Sequence, residues 1–133
     1  MTETENERVV RDFWGAVNRH DIDGIINLLT DDFNVVYSNL RRLNKDEYRR
    51  DLVHEFDALG SQIRIETMLS KGDTVVTECV WKGTHKKEYQ GRPATNKTSE
   101  APGAYFFELK DNKIRLIKYY WNPSTVFDAP ADL

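Results

Sequence analysis

Apolar positions recur at helical spacing over the first sixty residues and alternate one-in, one-out afterwards. Thr4 and Glu7 have the spacing of a capping box and predict a helix over residues 5–19. Its apolar residues Val9, Val10, Phe13, Trp14 and Val17 fall within about 140° of arc, which makes one buried stripe. His20 closes this helix at its C-terminal end, where a donor suits the last carbonyls. Asp21 caps a short second helix over residues 22–29, and FNVVYS, residues 33–38, reads as a strand. Asn44 and Glu47 form a second capping box, opening a third helix that stops before Gly60. Tyr48, Leu52, Phe56 and Leu59 are its buried stripe; His54 falls on the far side and reads as exposed and inert.

From Gln62 the period becomes two. Ile63, Ile65, Thr67 and Leu69 share one strand face, Lys71-Gly72-Asp73 turns the chain, and residues 74–89 return as a long strand. Gly83 within it marks a bulge or bend. Gly91-Arg92-Pro93 turns again, and residues 98–109 form a strand expected to be irregular near Pro102-Gly103. Asp111-Asn112-Lys113 is a tight turn into the last strand, residues 114–121, which Pro123 ends; residues 126–133 read as a loose tail. Helices followed by an antiparallel meander predict one α+β domain over residues 1–133, the helices packed on one face of a strongly curved sheet. The last strand, IRLIKYYW, is apolar or aromatic on both faces, so a homodimer through the sheet is expected.

Composition narrows the function classes. The chain has 133 residues and a net charge of −3, with no general electrostatic reason to bind nucleic acid or anionic membrane. The basic pairs Arg41-Arg42 and Lys86-Lys87 read as solvated surface. No targeting peptide or membrane-length apolar run appears, so a cytoplasmic protein is expected. A single cysteine, Cys79, excludes an intramolecular disulfide and sits in an apolar strand pattern. His20, His54 and His85 lie on separate elements without ligand spacing, and no glycine-rich phosphate loop occurs; no metal or organic cofactor is expected.

Three stretches carry a family resemblance: VVRDFWGAVNRHDIDGIINLLTDDFNVV (residues 9–36), W-x-G-T-H with G-x-P-x-T-x-K (residues 81–85 and 91–97), and DNKIRLIKYYWNP (residues 111–123). Together they resemble the NTF2-like superfamily and, within it, the SnoaL-like family related to polyketide cyclases. The resemblance implies a cone: three N-terminal helices wrapped by a bent sheet, with an apolar chamber at the wide end for a small apolar or aromatic molecule. Lining residues implied are Trp14, Val17, Phe56, Trp81, Tyr105 and Tyr120, together with Tyr37, His85 and Asn122. Phe13 also falls on this set, though packing alone accounts for it and for Phe56.

SnoaL-like cyclases carry an acid/base Asp near the end of the final strand, and by position it falls on Asn122. An amide does not exchange a proton near neutral pH, so that role passes elsewhere or is lost. The steroid-isomerase version of the fold is excluded, because its oxyanion-binding Tyr falls at Phe13 and its catalytic Asp at Tyr37. Scytalone dehydratase, with a Tyr matching Tyr37, lies closer, but its histidines find no clear counterparts. Among His85, Tyr37, Tyr120, Lys118, Glu78, Glu100 and Asn122, the best proton-transfer group is His85, since imidazole titrates near pH 6.5. Its spacing from Trp81 puts both on one strand face, with Glu78 on the other. Tyr37 and Asn122 would then hold a substrate carbonyl while His85 moves a proton, and His85→Ala would abolish turnover with little change in stability. Two functions stand: an isomerase, cyclase or dehydratase acting on a small apolar carbonyl compound, and a non-catalytic ligand-binding or dimerisation module.

Overall fold

Two side-chain handshakes start the long helices. The Thr4 hydroxyl accepts from the Glu7 amide at 3.1 Å while the Glu7 carboxylate accepts from the Thr4 amide at 2.9 Å. This opens α1 (Glu5–Asn18). Asn44 and Glu47 repeat the exchange at 2.9 Å each way and open α3 (Lys45–Leu59), which ends at Gly60 in the left-handed region, φ 59°. Each cap satisfies amides that a helix start leaves without partners. Between them lie α2 (Ile22–Ile26), capped by Asp21, then β1 (Leu29–Val36) and the short β2 (Arg42–Asn44). The chain continues through β3 (Gln62–Lys71), β4 (Thr74–Thr84), β5 (Thr98–Lys110) and β6 (Lys113–Trp121). The computed structural model describes residues 3–122, so the expected tail lies outside the described residues.

The six strands form one curved, unclosed sheet in the order β2-β1-β6-β5-β4-β3. All pairings are antiparallel except β1 with β6, which run parallel. The helices cover the inner face. Phe13 meets Phe107 edge-on at 5.4 Å, and Val10, Ile25, Val35 and Ile117 close the centre. No described helix is long and apolar enough to cross a membrane.

Several local expectations change in the fold. The second helix stops at Ile26, and β1 begins at Leu29, four residues early. Its Leu29 pairs with Ile114 and Asn34 with Leu116, so residues 30–33 bulge against one residue of β6. A β3 bulge between Ile65 and Thr67 reverses the faces beyond it: Met68 turns toward the core and Leu69 is 65% exposed. Gly83, by contrast, is in continuous register with Ser99 and is no bulge. An added Cβ there would meet the Leu59 carbonyl oxygen at 2.5 Å and the Trp81 ring at 2.6 Å, so glycine permits close approach of the end of α3. Pro102 also sits in regular register opposite Val80; β6 stops at Trp121, opposite Gly103, so no strand needs the amide proline lacks.

Candidate active site

A cavity of about 120 Å³ opens between the helices and the inner face of the sheet. Trp14 and Val17 of α1, Trp81 of β4 and Tyr105 of β5 line its apolar side. The indole nitrogens are occupied: Trp14 donates to the Thr77 hydroxyl at 3.1 Å and Trp81 to the Ser61 hydroxyl at 2.8 Å. Both rings therefore present carbon to the cavity, and Trp14 lies edge-on to Tyr105 at 4.8 Å.

The other side is polar. Tyr37, just beyond β1, donates to the Asp51 carboxylate of α3 at 2.8 Å, and its ring meets Tyr119 edge-on at 5.1 Å. The Arg41 guanidinium lies over the Tyr37 ring and 3.9 Å from Asp51, while the Tyr89 hydroxyl is 3.5 Å from both Asp51 oxygens. Deeper in, the hydroxyls of Tyr119 and Tyr48 are 2.6 Å apart. Burial pushes the phenols of Tyr37, Tyr48, Tyr89, Tyr105 and Tyr119 up, so at neutral pH they are donors and not bases.

Amid these phenols stands Glu55, half-buried and lining the cavity. Loss of water pushes its carboxyl up to about 7; the Ser61 hydroxyl opposes that shift and the charge of Asp51 adds to it. A carboxyl poised near neutrality in an aromatic cavity can both take and return a proton. The α3 sequence held the signal: Tyr48, Leu52, Glu55 and Leu59 follow at intervals of four, three and four, so Glu55 lies mid-stripe among buried residues. A carboxylate on a buried stripe requires an explanation, and the cavity supplies it.

The sequence-derived residues divide accordingly. Tyr37, Trp14, Val17, Trp81 and Tyr105 line the cavity. Tyr120 does not: strand alternation turns it outward, 50% exposed and edge-on to Phe106, and Tyr119 takes the inward place. Phe56 stacks on His20 at 4.4 Å, away from the cavity. Asn122, which follows the end of β6, is exposed and outside the lining.

His85 is inward on the same face as Trp81 but also outside the lining, with 1% exposure. It anchors the segment 85–97. Its amide donates to the Lys97 carbonyl at 2.9 Å, its carbonyl accepts from Asn96 at 2.7 Å, and Nδ1 is 3.3 Å from the Thr95 hydroxyl. This segment also carries Tyr89, Gln90 and Arg92 to the cavity rim. Glu78 faces out and accepts from Thr67 at 3.0 Å; Glu100 and Lys118 share that outer face. His20 Nε2 is 2.9 Å from the Ser61 carbonyl, and His54, though exposed, is 2.9 Å from the Glu88 carbonyl. Burial pushes the Cys79 thiol up to about 11, which suits packing and not nucleophilic attack. Among the described residues no cluster of three His, Cys, Asp or Glu side chains has metal-holding geometry.

Comparison with known proteins gives this arrangement a context. The SnoaL-like polyketide cyclase profile matches residues 7–129. Among solved structures, a candidate polyketide cyclase from Xanthomonas campestris superposes with a TM-score of 0.86 at 23% identity, over 93% of this chain and 95% of that one. AclR, a candidate hydroxylase from Streptomyces galilaeus, gives 0.82 at 17% identity over 92% of both chains. A LEH-like epoxide hydrolase of M. tuberculosis gives 0.76 at 20% identity, over 93% of this chain and 87% of that one. At these identities the structures share the fold, while their names diverge in reaction. No curated protein matches the chain.

Proposed function

Because the chain belongs to the SnoaL-like polyketide cyclase family, we propose that it moves protons on a small apolar carbonyl compound, with Glu55 as the acid/base group. The observation that carries this reading is the Glu55 carboxyl, held near neutrality inside the aromatic cavity. Ionised Glu55 removes a proton α to the carbonyl: the C–H bond breaks, a carboxyl O–H forms, and the electron pair moves to the carbonyl oxygen. Tyr119 is the donor for that oxygen. Of the two protons on the Tyr48–Tyr119 pair one serves the 2.6 Å bond between them, and with Tyr48 donating, Tyr119 keeps its own for the cavity. Protonated Glu55 then returns its proton at a second carbon, at an alkoxide formed by ring closure, or at a leaving hydroxyl. Isomerase, cyclase and dehydratase outcomes share this first step.

In this reading Tyr37 shapes the cavity and holds Asp51, and His85 holds the rim segment; neither transfers the proton. The volume sets the substrate scale. An apolar cavity of about 150 Å³ admits benzene, so about 120 Å³ fits a compact, ring-sized group whose remainder extends through the mouth. Cys79, a lone buried thiol, suits a reducing compartment such as the cytosol. The outer sheet face, with Phe106 39% exposed beside Tyr120, is proposed to pair two copies of the chain.

Mass spectrometry of the compound that copurifies with the chain, followed by turnover of that compound and its close carbonyl relatives, tests the reading. Glu55→Gln should lower turnover by about 10²-fold or more while ligand binding persists. Full turnover in Glu55→Gln removes Glu55 from the chemistry. Binding without turnover in the native chain leaves the ligand-binding module.

A further inference from the structure

We propose that the substrate of this cavity is a carboxylate: a compact ring lies against Trp14 and Trp81 while an anionic tail stays at the mouth, held by Arg41 with Arg92 as a second cation. This rests on the reading of the cavity as the substrate site and adds the charge class of what enters it.

Arg41 and Arg42 adjoin in sequence and read there as solvated surface, but the fold separates them. Arg42 opens β2 and donates to the Asn34 side chain at 2.7 Å. Arg41 lines the cavity, its guanidinium 5.4 Å from the centre of the Tyr37 ring. A tight turn fixes the backbone that carries it. The Tyr37 amide donates to the Arg41 carbonyl at 2.9 Å, the Leu40 amide to the Tyr37 carbonyl at 2.8 Å, and the Arg41 amide to the Asn39 side chain at 3.0 Å. The Ser38 hydroxyl ties the same turn to β6, 3.1 Å from the carbonyls of Tyr119 and Trp121. Leu40 takes the left-handed φ of 68° that the reversal needs while 83% exposed, an uncommon conformation for leucine that burial does not explain.

The Arg41 guanidinium has donors to give. It lies 3.9 Å from Asp51, beyond hydrogen-bond distance, and Asp51 already accepts from the Tyr37 hydroxyl at 2.8 Å. Its five N–H groups meet no hydrogen-bond acceptor among the described residues. Arg92 lines the same cavity, and with five N–H groups of its own it can share some with a ligand whatever else it bonds. Among the described residues of the lining, the cations are Arg41 and Arg92 and the carboxyl is Glu55 alone. A planar guanidinium matches the two oxygens of a carboxylate.

Burial decides which end of the ligand goes in. Trp14, Val17, Trp81 and Tyr105 are buried, whereas Asn39, Arg41 and Gln90 are exposed, so carbon forms the inner wall and the polar groups form the mouth. An anion placed inside would exchange water for carbon and face Glu55. At the mouth it meets Arg41. Asp51, beside Arg41, and Glu55 are one turn apart on α3, roughly 6 Å along the axis, so the reacting carbon sits a short stem away from the carboxylate.

Isothermal titration calorimetry of the intact chain with phenylacetate, 3-phenylpropanoate and 4-phenylbutanoate, each against its own amide, tests this without turnover. The acid of best length should bind about tenfold or more tighter than its amide, as one charge-assisted pair provides. Raising NaCl to about 0.5 M should shrink that preference. Arg41→Gln should remove most of it while the affinity for the amide holds. Arg92→Gln should remove a smaller part, and it carries the test should Arg41→Gln fail to fold. Acids that bind no tighter than their amides overturn the proposal, as does a preference that survives in Arg41→Gln, or in Arg92→Gln where that variant carries the test. So does a chain that binds none of these compounds. Whether Glu55→Gln retains turnover is a separate readout, so the carboxylate proposal and the assignment of Glu55 can fail independently.

Discussion

Tyr37 and Asp51 join the end of β1 to the middle of α3 through one hydrogen bond of 2.8 Å from phenol to carboxylate. The bond closes the polar side of the cavity. The Asp51 side chain keeps only 8% of its surface exposed, and its other neighbours, Arg41 at 3.9 Å and Tyr89 at 3.5 Å, are at long range. Tyr37→Phe should therefore leave a buried charge short of its best donor and destabilise the chain by about 1–3 kcal/mol in urea unfolding. A loss below about 0.5 kcal/mol would show that Arg41 and Tyr89 already suffice.

Glu55 makes stability depend on pH in a stated direction. Its folded value of about 7 lies above the unfolded value of 4.5, so between these limits the folded chain holds a proton that the unfolded chain has released. The contribution is present below the unfolded value and is lost as pH rises through the folded one. Glu55→Gln lacks this titration. Its stability advantage over the native chain should grow from pH 5 to pH 8 by roughly 3 kcal/mol at most. Parallel stability-against-pH curves for the two proteins would contradict the burial of this carboxyl.

His85→Ala should lower stability by about 2 kcal/mol or more, because the ring is buried beneath the segment it anchors. The unchanged stability expected from sequence does not fit a side chain with 1% exposure. Equilibrium unfolding measures this directly, and proteolysis within residues 85–97 should quicken in the same variant.

Gly83→Ala and Gly72→Ala separate crowding from backbone conformation. At position 83 the new methyl meets a backbone carbonyl and a ring, and about 1–3 kcal/mol should be lost. At position 72 there is open space but φ is +58°, so about 1–2 kcal/mol is expected from the left-handed backbone alone. Thermal unfolding that ranks the two the other way would place the strain in the turn.

Phe106→Lys together with Tyr120→Lys should convert dimer to monomer in light scattering without changing the cavity, since both side chains face outward. A native chain that is already monomeric removes the proposed pairing.

Local chemistry made much of this protein legible. Thr4 with Glu7 and Asn44 with Glu47 announce helix starts because a cap is a bond between near neighbours. Gly60 and the Asp111-Asn112 turn, with φ of 52° and 61° in the latter, announce reversals for the same reason. Alternation placed Trp81 and His85 on one face, where the structure also has them. Which face each strand end presents depended on the register in which each strand pairs with its neighbour. One extra residue in β3 turned Leu69 out and Met68 in, and the registry of β6 against β5 gave Tyr119 to the cavity and Tyr120 to solvent.

Residue order, then, determined every described element but the short β2, most boundaries to within a few positions (β4, which stops at Thr84 and not at 89, is an exception), and the apolar stripe that holds α1 and α3 against the sheet. Tertiary structure alone decided that Glu55 titrates near neutrality, because that value comes from water excluded by residues far apart in the chain. It likewise decided that Ser61, distant from Trp81 in sequence, is bonded to its indole in space. Helix and turn signals travel along the backbone over a few residues; desolvation and registry are properties of surfaces brought together by folding.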